Sequence, residues 1–190
     1  MKIGLYFGSF NPVHKGHLAI AEFLKQKSLF EQIWLVVSPN NPLKDSMDLI
    51  PENHRLNMVK LAIQNNPFLY ACDVEFHLPK PSYTIDTLNH LEKQHRNHQF
   101  FLILGADNII NFHQWKKYEE ILNRFTIYVY PRDNNTFEKK IEDPHIVYLE
   151  APLLPVSATE VRDLLRKKMS VKDFLPELVV QYIEEQGIIL

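Results

Sequence analysis

The stretch FGSFNPVHKGH, Phe7 to His17, decides how the rest of this chain is read. Upstream, IGLYF (3–7) is an apolar run of strand type that stops at Gly8. Downstream, HLAIAEFLKQK (17–27) carries apolar residues at helical spacing. Between them lie Pro12, the glycines Gly8 and Gly16, and two histidines three residues apart, His14 and His17. Strand, polar turn and helix make the opening of a βα unit. In open parallel sheets such turns face the ligand crevice.

The same alternation runs along the chain. IWLVV (33–37) precedes a polar, proline-punctuated loop and the helical HRLNMVKLAIQNN (54–66). FLYACDVEF (68–76) reads as a strand before the helix TIDTLNHLEKQHR (84–96). FFLILG (100–105) leads to a short helix and YEEILNRF (118–125). FTIYVY (125–130) and HIVYLEA (145–151) are later strands, the second followed by VSATEVRDLLRKK. The segment 132–145 between them reads as a surface excursion. Near-continuous apolar strands alternating with helices predict an α/β fold, a doubly wound parallel sheet in a single domain.

Composition narrows the class. The chain has 190 residues, 45% hydrophobic and 23% charged, with a net charge of −2. No basic surplus is present to displace counterions, so no nucleic-acid partner is expected. No run approaches the ~18 apolar residues of a membrane span. One cysteine, Cys72, allows no intrachain disulfide and no Cys-based zinc site, and the expected compartment is cytoplasmic. A homo-oligomer is compatible with the sequence. Glycine is scarce, five in all, and Gly187 reads as a helix C-cap.

The unusual polar stretches fall after strands: GSFNPVHKGH, SPNNPLK, GAD and VSATEVR. The topology therefore gathers His14, His17, Lys44 and Arg162 on one rim, a donor set suited to phosphates at helix starts. In SATE (157–160), Ser157 and Glu160 fit a capping box, either as a cap alone or as a helix N-terminus facing the crevice. Three readings of His14 and His17 stand. They are part of a metal site, which lacks a third ligand; or surface histidines; or donors to phosphate, which Gly16 favours by letting a substrate approach the backbone. The histidines at 54, 77, 90, 95, 98, 113 and 145 read as solvated or structural. Asp86 reads as a helix N-terminal acid, and Trp115 by itself as a helix-packing residue.

GSFNPVHKGH resembles the G-(T/S)-F-(D/N)-P-x-H-x-G-H signature of nucleotidyltransferases, and VSATEVR resembles their I-S-S-T-x-(I/V)-R element. PSYTIDTL (81–88), FLILGAD (101–107) and Trp115 are similar to bacterial nicotinate-mononucleotide adenylyltransferases. The resemblance spans the whole chain. It implies one Rossmann-like nucleotidyltransferase domain over 1–190, with the helical part from about 157 to 190 packed on it. It further implies ATP and nicotinate mononucleotide as substrates and deamido-NAD and pyrophosphate as products, by direct in-line attack.

By the same resemblance, ATP would be held by Gly8, Ser9, Phe10, His14, His17, Lys44, Ser157, Thr159 and Arg162. His14, His17, Lys44 and Arg162 would be catalytic. Ser82, Tyr83, Thr84, Gly105, Asp107 and Trp115 would hold the acceptor, with Trp115 stacked on the pyridine ring. Mg²⁺ would arrive on ATP, with no metal cage from the protein. Three positions depart from the pattern: Leu43 replaces a histidine, Ala158 a serine, and Asn11 the more frequent aspartate. An acceptor of nicotinamide mononucleotide or 4′-phosphopantetheine, or a nucleotide sensor without turnover, are the competing readings.

Overall fold

In the computed structural model, residues 1–39, 49–132, 140–153 and 155–188 are described. Six strands form one sheet: β1 (Lys2–Gly8), β2 (Gln32–Val37), β3 (Leu69–Cys72), β4 (Gln99–Gly105), β5 (Ile127–Tyr130) and β6 (Ile146–Tyr148). All neighbours pair in parallel, in the order β3-β2-β1-β4-β5-β6. The chain builds outward from β1 to β3, returns to lay β4 on the other side of β1, and builds outward again. The loops after β1 and β4 therefore diverge, leaving a crevice at their carboxyl ends. This is the α/β, Rossmann-like doubly wound sheet that the alternation predicts.

The strands are apolar throughout because both faces are covered. Ile3, Leu5, Trp34, Val36, Phe100, Leu102, Leu104, Ile127 and Val129 face one helix layer. Tyr6, Ile33, Leu35, Val37, Phe101, Ile103 and Tyr130 face the other, as a period of two requires. Each fully buried aliphatic side chain contributes about 1.5–3 kcal/mol. The first layer holds α3 (Thr84–Gln94), α4 (Ala106–Ile110) and α5 (Tyr118–Arg124). The second holds α1 (Lys15–Gln26), α2 (Glu52–Ile63), α6 (Ala158–Arg166) and α7 (Glu177–Glu185). Gly4 admits this packing: a Cβ there would lie 2.7 Å from Ile103 Cδ1.

Some elements differ from the pattern. The run 68–76 is a strand only to Cys72, and Val74–His77 forms a 3₁₀ turn instead. That turn carries Glu75 inward, where its carboxylate takes hydroxyl hydrogen bonds from the α3 side. Helix α2 ends at Ile63, before the expected 66, because Asn66 starts a turn: its N–H donates to Ile63 O, and its side chain accepts from Phe68 N. Helix α1 begins at Lys15, two residues early, since the Lys15 N–H is satisfied by Phe174 O at 2.8 Å. Gly187 follows α7 at φ 58, the left-handed position expected of it.

The C-terminal helices pack on the domain through Val161, Val171, Leu175, Val179, Val180 and Ile183. Tyr182 of α7 shares its hydroxyl with His54 Nδ1 (2.9 Å) and accepts from the Asn57 amide (3.0 Å), both on α2. Among the described residues, no helix is long and apolar enough to cross a membrane.

Candidate active site

A cavity of about 980 Å³ opens at the carboxyl ends of the central strands. Its wall takes residues from the loop after β1, the ends of β2, β4 and β5, and the N-termini of α3 and α6. Gly8, Ser9, Phe10, His14, His17, Ser82, Tyr83, Thr84, Asp107, Trp115, Ser157, Thr159 and Arg162 all line it. One expected residue does not. Gly105 lies behind the wall, and Lys44, with Leu43, falls outside the described residues.

The histidines sit at the start of α1. His14 is its N-cap, and its backbone N–H donates to Nδ1 of His17 at 3.2 Å. Their rings stack, with centroids 3.7 Å apart and planes at 28°. Phe10, at φ 45, turns its ring edge-on against His17 (5.0 Å) and Tyr6 (5.8 Å). Positive φ is unusual for so bulky a residue, and the aromatic wall holds it there. Burial, then the charge of Arg132, pushes His14 down to about 3. Burial, then His14 and Arg132, drives His17 well below its ordinary value. Both imidazoles are therefore neutral, and each offers a single N–H as donor. Gly16 is required here, since a Cβ would meet Val156 Cγ1 at 2.7 Å and His14 Nδ1 at 2.9 Å.

Arg162 closes the other side. Its guanidinium donates to the backbone carbonyl of Asn11 (3.0 Å) and to Thr159 Oγ1 (3.2 Å). Ser157 caps α6 by accepting the Glu160 N–H at 3.1 Å, as the capping pattern predicts, and keeps its own hydroxyl proton for a ligand. Asn11 uses its side-chain oxygen to accept from Ile50 N at 3.0 Å.

The opposite end of the cavity is built from α3 and the loop around Trp115. Trp115 is half-buried on the wall and leans against Phe112 at 5.1 Å. Lys116 lies 4.6 Å above the Tyr83 ring and pairs with Asp86 at 2.8 Å, so Lys116 ties its loop to the start of α3. Helix α3 has no side-chain cap, leaving its first N–H groups beside Tyr83 and Thr84. The Ser82 hydroxyl is engaged, donating to Glu75 Oε2 at 3.0 Å.

Four residues that motif reading passed over organise the site. Arg55 is 1% exposed and donates to the carbonyls of Ser9, Ser38, Pro39 and Ile50. It joins the loops after β1 and β2 and grips both ends of the segment containing Lys44. Burial lowers its guanidinium to about 10, which still leaves it charged. Its signal was a lone arginine at i, i+3, i+4 spacing with Met58 and Val59, on an apolar stripe. Glu75 was hidden in a run read as strand. Arg132, expected in a surface excursion, instead lines the cavity, with Nε 3.3 Å from Asp107 Oδ1. Gly105 makes room for that pair, since a Cβ there would lie 2.5 Å from Asp107 Oδ1. Tyr6, in the middle of the first strand, donates to the Tyr130 hydroxyl at 3.0 Å beneath the histidines.

Residues 5–164 match the family described as cytidylyltransferase-like. A protein of Cytophaga hutchinsonii named probable nicotinate-nucleotide adenylyltransferase is 43% identical over 183 residues, covering 96% of this chain and 95% of the relative. One of the same name from Flavobacterium psychrophilum is 44% identical over 189 residues, covering 98% of each. Among solved structures, the Plasmodium falciparum nicotinic acid mononucleotide adenylyltransferase complexed with NaAD aligns with a TM-score of 0.81 at 23% identity. That alignment covers 98% of this chain and 96% of that one, a likeness of fold.

Proposed function

The chain belongs to the cytidylyltransferase-like family, in its nicotinate-nucleotide adenylyltransferase branch, and from that premise we propose that it moves the adenylyl group of ATP onto nicotinate mononucleotide. Membership makes it a nucleotidyltransferase of NAD biosynthesis. The observation that carries the finer reading is the two-ended cavity. Neutral histidines and Arg162 stand at one end, and an uncapped helix start with an exposed aromatic face stands at the other.

The first end suits a polyphosphate. His17 accepts at Nδ1, so its hydrogen is on Nε2, available to a non-bridging oxygen of the α-phosphate. Arg162, Ser157, Thr159 and Lys44 would hold the β- and γ-phosphates. The acceptor phosphate, with a second pKa near ~6, is already an anion and needs no base. A bond forms from its oxygen to the α-phosphorus as the bond to the β-phosphate oxygen breaks, and pyrophosphate leaves with the electron pair. Catalysis then rests on alignment and fixed donors.

The second end suits an aromatic acid. The start of α3 presents N–H groups and the positive end of the helix dipole to a carboxylate, and Trp115 offers a face for the pyridine ring. Asp107 would accept from ribose hydroxyls. Mg²⁺ fits as a passenger of ATP. The carboxylates on the described wall are Asp107, paired with Arg132, and Glu75, engaged by hydroxyls. The ion would neutralise phosphate charge, and we assign it no side chain.

Pyrophosphate release with Mg²⁺-ATP tests this reading, with nicotinate mononucleotide, nicotinamide mononucleotide and 4′-phosphopantetheine as parallel acceptors. Strong preference for the first is expected. Equal use of the amide would overturn the assignment of the α3 end.

A further inference from the structure

Glu75 is 2% exposed, on the 3₁₀ turn after β3, and reaches the cavity wall. A carboxylate removed from water needs donors on its oxygens. Here they are hydroxyls. Ser82 donates to Oε2 at 3.0 Å and Thr87 to Oε1 at 2.9 Å, and the Ser38 side chain adds a third bond. These three come from different pieces of the fold: the end of β2, the loop before α3, and the first turns of α3. Ser38 is itself fixed, its N–H on Gly8 O at 2.9 Å and its carbonyl under Arg55 at 2.7 Å.

The loop before α3 has other ties, but they are exposed. Lys80 pairs with Glu52, and Lys116 lies over the Tyr83 ring. Among the described residues, the bond from Ser82 to Glu75 is the buried side-chain tie of this loop. We propose that Glu75 is a positioning residue for the acceptor: its carboxylate sets Ser82 and Thr87 so that residues 82–85 hold their backbone donors toward the cavity. Glu75 touches no reacting atom in this role. The inference rests on the proposed function for its substrate and deepens that reading of the α3 end.

Glu75→Gln keeps the shape but replaces one accepting oxygen with an NH₂ group that faces a hydroxyl. The KM for nicotinate mononucleotide should rise roughly tenfold, while the KM for ATP stays within about twofold. Ser82→Ala should give a similar rise, and the double variant should be little worse than either alone. Parallel changes in both KM values, or an unchanged acceptor KM in a folded Glu75→Gln protein, would overturn the proposal. Amide hydrogen exchange gives a readout independent of turnover. Exchange should speed up across residues 82–88 in Glu75→Gln and stay unchanged in α1; unchanged exchange at 82–88 would overturn it. Wild-type protein that ignores nicotinate mononucleotide would instead sink the functional reading, with the exchange result still deciding the role of Glu75. Should Glu75→Gln fail to fold, Ser82→Ala carries the same two readouts.

Discussion

The backbone N–H of His14 donates to Nδ1 of His17, fixing which nitrogen of His17 carries hydrogen. A ring that accepts at Nδ1 presents Nε2–H, and its neutrality keeps that arrangement across the physiological range. His17→Asn should therefore cost turnover rather than binding. The expected loss in kcat is about 10²–10³-fold, the size seen when one fixed donor to a transition-state oxygen is removed. ATP affinity, by titration, should change less than about threefold.

Stability should depend on pH through the same pair. His14 has an ordinary value of 6.5 when unfolded and about 3 when folded. Between those limits the unfolded chain binds a proton that the folded chain refuses. The contribution is thus complete above about 6.5 and is lost as pH falls toward 3. Denaturant unfolding at pH 5.5 should show a stability lower than at pH 7.5 by about 1 kcal/mol for His14, and His17 acts in the same direction. His14→Asn should shrink the difference, leaving the share that His17 contributes.

Arg55→Lys should fail as a conservative change. A guanidinium reaches four carbonyls from three loop segments, and an ammonium with three donors cannot reproduce that fork. Urea unfolding should show a loss of about 3 kcal/mol. ATP affinity should fall with it, because Ser9 and both ends of the segment holding Lys44 lose their common tie.

Gly16→Ala should separate folding from function. Alanine favours a helix by up to about 1 kcal/mol over glycine. Yet its Cβ must displace both Val156 and the His14 ring. The thermal midpoint should move little while kcat/KM falls at least about tenfold.

The fold was legible because a sheet buried on both faces writes itself as apolar runs, as in IWLVV and FFLILG. The gathering of His14, His17 and Arg162 on one cavity wall was legible because they sit in short motifs at loop and helix starts. Arg55 and Glu75 were not. Arg55 reaches back 46 residues to Ser9, and Glu75 reaches both Thr87, 12 residues on, and Ser38 at the end of β2. These partners are carbonyls and hydroxyls that any residue or many residues could supply. Nothing local marks such a residue except its presence among apolar neighbours. Arg132 escaped for another reason: it follows the last residue pair of a strand, where side chains turn from core to cavity within two positions.

The Arg162 bond to Asn11 spans 151 residues, and Lys15 holds the carbonyl of Lys172 through its ammonium across 157. The first loop of the chain is therefore finished by residues that leave the ribosome long after it. A nascent chain can pair β1 with β2 early, but its adenylylation pocket must wait for α6 and the strap that follows. Loop closure of that length is entropically slow to reward. Until α6 has emerged, the growing polypeptide can hold a sheet and still be unable to grip a nucleotide.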